Sequence, residues 1–239
     1  MAIQIEILKT INYFAGLDDA ELEYIRGFMI EKKVDKGTII LSEGQETDLL
    51  YFVISGLVKV FKTSSSGKDQ ILHIAPPGDS LNDVSTFDGG PSVASMMAMT
   101  PVHYYAIRKE DIRTAFHDPP RLWLNIIKSL ANRVRRDSKL VEELSSTQTL
   151  ARLAKLFLGR YAGEEATTGP LLNQQDMANL IGASREVVNR ALKTMEDKGA
   201  ITLHRHRVVV ADRKILSELA KDAGDTTPEY LQSAEKTGV

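Results

Sequence analysis

The chain has 239 residues, of which 43% are apolar, 26% are charged and none is cysteine, and its formal net charge is −2. Without cysteine it cannot form disulfides, thiolate zinc sites, cysteine-ligated iron–sulfur clusters or thiol redox sensors. The N-terminus has no basic-then-apolar leader, and no apolar run is long enough to cross a bilayer. The composition therefore predicts a cytoplasmic globular protein of one large or two modest domains.

The charges are distributed unevenly along the chain. Residues 182–214 contain eight Lys or Arg against four Asp or Glu, an excess of +4 that leaves −6 for the rest. Such segregation is typical of a region that meets an anionic partner, although many solvated protein faces carry a similar imbalance.

The first predicted elements are a helix over residues 17–33 and a series of short strands over 35–107. Asp18 is the expected cap of the helix, with Leu22 and Phe28 on one side. Within 35–107 the glycines recur at intervals of 7 to 12 residues, between β-prone runs such as LLYFVIS and LVKVFK. Turn signals at this spacing predict an antiparallel roll, barrel or sandwich.

A long helix is predicted over residues 121–147, which contain neither Gly nor Pro. Apolar residues follow one another there at alternating steps of three and four, with charged residues on the flanks. The seam comprises Trp123, Ile127, Leu130, Val134, Asp137, Val141 and Leu144. We interpret it as a dimer interface of the coiled-coil type. The alternative is an amphipathic helix that packs on the β-roll of its own chain.

Asp137 is the one charged residue of this seam. A like-charge pair buried across a dimer is costly unless it is protonated or paired with an opposite charge. One hypothesis is that Asp137 tunes an equilibrium between inactive and active states. The other is that it hydrogen-bonds to the β-roll of its own chain.

The C-terminal part is predicted to be mainly helical, with one β-hairpin and a loose tail over 224–239. The expected helices span 150–161, 174–181, 184–198 and the segment RKILSELAKD. Ala178, Gly182 and Val188 have the spacing of a helix-turn-helix, in which Gly182 suits a turn at positive φ. Ser184 is a suitable N-cap for the second helix of that motif.

The second helix of the motif begins with a polar face. Arg185, Glu186, Asn189 and Arg190 lie on one side of it, because successive residues are about 100° apart. Arginine can donate two hydrogen bonds to guanine, glutamate can accept from cytosine, and asparagine can bind adenine. The face therefore predicts a recognition helix that enters the DNA major groove. The alternative is a set of ordinary solvated charges in which Glu186 pairs with Arg190.

The tip of the predicted hairpin, HRHR at 204–207, is basic. Arg205 and His206 are expected to contact DNA phosphates in the manner of a wing. His204 and His206 could also indicate a metal, but a metal site needs a third ligand that the turn does not supply. We therefore predict no metal site.

The motifs ISGLVKVFK, PPGDSLNDVSTF and GASREVVNRALKTMEDKGAI carry a specific resemblance. Across nearly its full length the chain resembles the CRP/FNR superfamily, the regulators related to the catabolite activator protein and the fumarate–nitrate reduction regulator. The resemblance implies an α+β fold in three parts. These are an antiparallel β-roll of the cyclic-nucleotide-binding, jelly-roll type over 1–118, a dimerisation helix over 119–147, and a winged helix-turn-helix with a tail over 148–239.

For the DNA-binding half, the resemblance implies base contacts from Arg185, Glu186 and Arg190, and phosphate contacts from Ser184 and Lys193. It implies a homodimer on double-stranded DNA, with TGTGA-like half-sites in an inverted repeat. The half-sites of such dimers are about one helical turn apart. RNA polymerase is the further partner that the resemblance implies, and no membrane is involved.

The sensing half departs from the family pattern at the cyclic-AMP pocket. The family has Gly-Glu for the ribose and Arg-Ser for the phosphate, whereas this chain has Asn82-Asp83 and Val93-Ala94. Without the arginine the phosphate loses its charge-assisted fork, so we do not expect cyclic AMP to bind. A pocket for an unidentified effector is predicted between roll and helix, lined by Asn82, Asp83, Ser85, Thr86, Ser92, Asp137 and Ser138.

Besides an effector-binding roll, the sensing half has three further candidate functions, and two of them stay open. A sensor of haem or nitric oxide would use His73, His103 or a methionine, because Val84 stands where the family's haem-binding histidine would be. A cupin-like metalloenzyme needs a His-x-His, a Glu and a further His in the roll. Since 35–107 contain only His73 and His103, no enzyme activity and no catalytic residue is predicted. A constitutive DNA-binding protein that has lost its sensing function would also account for the altered pocket.

Overall fold

A computed structural model describes residues 4–116, 120–146, 148–159, 167–168, 172–204 and 207–221. The chain divides into two units, Met1–Leu140 and Val141–Val239. Each unit has its own set of buried apolar side chains.

Within its described residues, the first unit is built on eight antiparallel strands in two sheets. They are β1 (Met29–Val34), β2 (Ile39–Leu41), β3 (Leu49–Ser55), β4 (Val58–Thr63), β5 (Asp69–Ala75), β6 (Ser80–Leu81), β7 (Ser95–Ala98) and β8 (Val102–Arg108). One sheet has the order β1-β8-β3-β6 and the other the order β2-β7-β4-β5.

Helices cover one side of this roll and connect its strands. They are α1 (Ile5–Leu8), a 3-10 helix (Asn12–Phe14), α2 (Asp19–Arg26), α3 (Asp83–Asp88), α4 (Lys109–Ala115) and α5 (Pro120–Ser146). Helix α5 is one continuous helix that begins in the first unit and ends in the second. The predicted fold class, with its jelly-roll-like β-domain and long helix, is confirmed.

The side chains of β3 point alternately to its two faces, and as a result the first unit has two hydrophobic cores. Leu50 and Phe52 pack against the N-terminal helices and α5, while Tyr51 and Val53 point between the two sheets. Successive strand side chains point to opposite faces, so a strand buried on both sides reads as a continuous apolar run. This explains why LLYFVIS contains no polar residue before its last position.

The prediction of a single helix over 17–33 was wrong at its C-terminal end. Asp18 caps α2 as expected, within a capping box completed by Glu21, but the helix ends at Arg26. The segment Met29–Val34 is strand β1, and it pairs antiparallel with β8. Its backbone hydrogen bonds come from a strand far along the chain, which the local apolar spacing does not reveal.

Gly56 makes the tight connection between β3 and β4 possible. Its φ is +87°, in the region that favours glycine, and a Cβ there would lie 2.3 Å from the Pro101 carbonyl oxygen. The closeness of a backbone atom means that no side chain can be accommodated without moving the strand ends.

The second unit combines helices with a small antiparallel sheet. Its elements are α6 (Thr149–Leu158), β9 (Thr167–Thr168), α7 (Gln174–Ile181), α8 (Arg185–Asp197), β10 (Ile201–His204), β11 (Arg207–Val210) and α9 (Arg213–Lys221). The expected hairpin is present as β10 and β11. Strand β9 extends it to the order β10-β11-β9, and this third strand was not predicted from the sequence.

Candidate functional site

The turn between α7 and α8 has the geometry that the sequence predicts for a helix-turn-helix. Asn173 caps α7 through a capping box with Asp176. Gly182 ends α7 at φ 64° and ψ 42°, and its N–H donates to the Ala178 carbonyl. Ser184 then caps α8 by accepting from the Val187 N–H at 3.3 Å. Both helix starts are fixed by side-chain hydrogen bonds, so their first residues have defined directions.

Helix α8 separates an apolar face from a polar one. Val188, Ala191, Leu192 and Met195 are buried. The predicted DNA-contacting side chains are all exposed: Ser184, Arg185, Glu186, Asn189, Arg190 and Lys193. The structure thus brings these six side chains to the solvent-facing side of α8 and its N-cap, where a large ligand can reach them.

The electrostatics of this surface keep Glu186 ionised. Hydrogen bonds from its own backbone N–H and the Ser184 side chain lower the pKa of Glu186, and the charges of Arg185 and Arg190 act in the same direction. An ionised carboxylate only accepts hydrogen bonds. Glu186 is therefore suited to the exocyclic amino group of a base such as cytosine.

One contact at this surface was not foreseen from the sequence. The Arg185 Nε donates to Gln174 Oε1 at 3.4 Å, so the first residues of α7 and α8 touch each other. The QQ pair at the start of α7 gives no local signal for this contact, because it depends on how the two helices cross.

The predicted wing corresponds to the hairpin of β10 and β11, but the described residues do not include its tip. Arg205 and His206 lie outside the described residues. The backbones of His204 and Arg207 pair at the end of the ladder, and the Leu203 N–H donates to Glu196 Oε1 at 3.0 Å. This last bond attaches the hairpin to the C-terminal part of α8.

Five of the predicted effector residues come together where β6 joins α3. Asn82, Asp83, Ser85, Thr86 and Ser92 are all buried there. Asn82 has φ 66° and anchors the turn by donating from Nδ2 to the Leu49 carbonyl at 3.0 Å. The hydroxyls donate to backbone carbonyls of the same loop: Ser85 to Pro91, Thr86 to Asn82 and Ser92 to Ala94. These hydroxyls are therefore committed to holding the loop.

Asp83 lies at the centre of a buried polar cluster. Its side chain is fully buried, and Oδ2 lies 2.6 Å from Nη2 of Arg133 on α5. The Tyr13 hydroxyl donates to Oδ1 of Asp83. Burial, with the negative charge of Asp83 adding to it, raises the pKa of Tyr13, so the phenol stays protonated as a donor. Arg133 also donates to the Ser80 carbonyl at 3.1 Å. We call Tyr13, Asp83 and Arg133 the Asp83 cluster.

The two remaining effector residues lie elsewhere. Asp137 and Ser138 are exposed on α5, and it is Arg133, one turn earlier, that contacts the roll. Val93 is 50% exposed and Ala94 is buried, so the positions of the family's phosphate-binding pair offer no cation.

An open cleft of about 490 Å³ lies beside Leu49, the residue whose carbonyl accepts from Asn82, and is lined by Asp48, Leu49, Arg108, Lys109 and Glu110. It contains none of the seven predicted effector residues.

The two histidines of the roll differ in environment. His73 is buried on β5, whereas His103 on β8 lies 3.0 Å from Glu31 Oε1 and against the Tyr105 ring. In the described part of the chain, no three His, Asp or Glu side chains group closely enough to hold a metal ion. None of its helices is long and apolar enough to span a bilayer.

Helix α5 has two distinct apolar faces. Leu122 and Ile126 are buried in the core of the roll, and Leu130 packs against the same core. Ile127, Val134 and Val141 expose 61%, 65% and 68% of their surface, and Trp123 exposes 40%. Leu144 is half-buried. The helix therefore packs on its own roll and also retains an uncovered apolar stripe at four of the six predicted apolar seam positions, while Leu130 and Leu144 are partly buried.

Known proteins match both parts of the chain. Residues 31–118 match the profile of the cyclic nucleotide-binding domain, and residues 151–219 match that of the Crp-like helix-turn-helix domain. A CRP-like cAMP-activated global transcriptional regulator of Mycobacterium tuberculosis is 29% identical over 222 residues, covering 90% of this chain and 99% of that protein. The cyclic AMP receptor protein of Thermus thermophilus is 28% identical over 215 residues, covering 89% and 98% respectively.

The fold itself recurs in solved structures. FixK2 from Bradyrhizobium japonicum superposes with a TM-score of 0.71 at 21% identity, covering 82% of this chain and 99% of FixK2. At this level of identity the likeness concerns the fold alone.

Proposed function

Because the chain belongs to the CRP/FNR superfamily of transcription regulators, we propose that it binds DNA as a homodimer and reads an inverted repeat through α8. The observation that carries this proposal is the exposed polar face at the start of α8, opposite its buried apolar face. Arg185, Glu186, Asn189 and Arg190 supply both donors and acceptors for base edges in the major groove. Lys193 and Ser184 flank them as phosphate contacts.

The uncovered stripe of α5 supports the homodimer. Ile127, Val134 and Val141 are three large apolar side chains at coiled-coil spacing that a second copy would bury. A two-fold dimer would place two copies of α8 on the same face of a duplex. Its half-sites would then be about one helical turn apart and inverted, in keeping with the expected TGTGA-like repeat.

Arg190→Ala tests the base-reading role of α8. We expect it to cost about 1–3 kcal/mol of binding free energy on the preferred duplex and to relax the preference at one base pair, since a bidentate contact is lost. Lys193→Ala is the matched control, because it removes an exposed cation from the same helix. That variant should weaken binding to all duplexes alike and flatten the salt dependence. Fluorescence anisotropy on cognate and scrambled duplexes measures both effects, and equal losses on the two duplexes for Arg190→Ala would refute the base-reading role.

We further propose that the roll does not respond to cyclic AMP, although the names of the Mycobacterium tuberculosis and Thermus thermophilus relatives both contain cyclic AMP. The Asp83 carboxylate is already engaged by Arg133 and Tyr13, so ribose hydroxyls would have to displace these partners. No cation stands at positions 93 and 94 to bind a phosphate. The same anisotropy titrations with millimolar cyclic AMP should give unchanged affinities, and an increase would contradict this proposal.

A constitutive regulator is the second candidate, and the Asp83 cluster favours it. The cluster links α3 to α5 through side chains of the chain itself, so no effector is needed to join them. Purified protein that binds its preferred duplex tightly with no addition would support this version. A requirement for a small molecule from cell extract would instead support an effector-responsive roll.

A further inference from the structure

Gln174 and Arg185 occupy the first positions of two helices that meet. Gln174 begins α7 and Arg185 begins α8, and the Gln174 Oε1 accepts from the Arg185 Nε at 3.4 Å. Gln174 is half-buried, and the capping box of Asn173 and Asp176 fixes the turn that carries it. The acceptor is thus held on a rigid element, while the arginine is exposed.

The atom that Gln174 engages matters for what Arg185 can bind. A guanidinium carries five N–H donors in a rigid planar fork. A hydrogen bond at Nε uses the donor nearest the aliphatic stem and leaves the two terminal nitrogens free. These two nitrogens can bind guanine O6 and N7 as a bidentate pair. An anchored fork also loses less rotamer freedom on binding than a free arginine.

We propose that Gln174 is a positioning residue that sets the base preference of Arg185. It holds the guanidinium so that its terminal nitrogens face the base edge before DNA arrives. This inference rests on the proposed function, because it concerns how α8 reads a base. Gln174 thereby acts through Arg185, and the base pair that it influences is the one that Arg185 contacts.

The neighbouring glutamine provides a matched control. Gln175 donates from Nε2 to Asn179 Oδ1 at 2.8 Å, a contact within α7. Gln175→Ala therefore makes the same chemical change one residue away without touching the Arg185 contact. Circular dichroism and thermal unfolding of each variant would establish that α7 remains folded.

The experiment measures affinities for the preferred duplex and for duplexes changed at each base pair of the half-site. Gln174→Ala should reduce discrimination about three- to tenfold at the one base pair that Arg185→Ala also affects, as expected for one lost hydrogen bond. Gln175→Ala should leave discrimination unchanged at every position. The double variant with Arg185→Ala should discriminate no worse at that pair than Arg185→Ala alone.

The conservative variant Gln174→Glu separates a positioning role of Gln174 from a direct contact of its side chain with DNA phosphates. In Gln174→Glu a carboxylate can still accept from Nε, so discrimination should return to the wild-type level. Its negative charge near the DNA backbone should lower affinity for all duplexes. Unchanged discrimination in Gln174→Ala, or an equal loss at every base pair, would overturn the positioning role. Wild-type protein that binds all duplexes equally would instead refute the proposed function itself.

Discussion

Asp83→Ala is expected to lower the free energy of unfolding by about 3–5 kcal/mol, because it leaves the largely buried guanidinium of Arg133 without its counter-charge. The carboxylate that is removed is fully buried and lies 2.6 Å from Arg133 Nη2. The Tyr13 hydroxyl loses its acceptor in the same step. A buried donor that is left unpaired costs more than its hydrogen bond contributed.

Urea unfolding monitored by circular dichroism measures this loss. Asp88→Ala is the matched control, because Asp88 lies on the same helix but is exposed. Asp88→Ala removes one exposed acceptor, that of the Gly90 N–H at 2.8 Å, and should therefore cost about 1 kcal/mol or less. Replacing both members of the ion pair, as in Asp83→Leu with Arg133→Met, should recover part of the stability. A loss for Asp83→Ala no larger than that of Asp88→Ala would contradict the structural role of the Asp83 cluster.

Val134→Asp is the second substitution with a large expected effect. Val134 is 65% exposed in one chain, and in the proposed dimer it meets its own copy across the seam. The change removes buried apolar surface and places two more negative charges near Asp137. We expect a monomer, with affinity for the inverted repeat lowered about 10²–10⁴-fold because the two half-sites are no longer bound together.

Sedimentation velocity and anisotropy measure the two parts of this prediction. Ile39→Asp is the control, since Ile39 is an exposed apolar residue of β2 away from the seam. Asp137→Leu should act in the opposite direction and strengthen the dimer, because it completes the apolar seam. Val134→Asp that still sediments as a dimer would show that this face is not the interface. Unchanged association and DNA binding in Asp137→Leu would exclude a switch role for Asp137.

The β-roll and the helix-turn-helix could be predicted because their signals are local. Glycine intervals report turns, and the spacing of Ala178, Gly182 and Val188 reports one helix crossing the next. The caps Asp18 and Ser184 were also predicted correctly, since a cap acts within three residues of itself. Strand β1 was missed because its conformation depends on pairing with β8 rather than on its own apolar spacing.

The partners of the key side chains could not be predicted for the same reason. Tyr13 and Asp83 are 70 residues apart in sequence, and Gln174 and Arg185 are 11 apart across a turn. Asp83 and Arg185 could be selected as candidate site residues from the sequence, but only the structure shows which side chains contact them. It also places Arg133, rather than Asp137, against the roll, because Asp137 lies one helical turn further along α5, where its side chain is exposed.

The spacing of the half-sites shows whether two copies of α8 read one face of a duplex. The purified protein would first select its preferred sequence from a random duplex pool. Its affinity is then measured on that inverted repeat and on a version with about 5 extra base pairs between the half-sites, which is about half a turn. We expect two chains per native duplex and a fall to single half-site affinity after the insertion. Unchanged affinity after the insertion, or one chain per native duplex, would contradict this expectation.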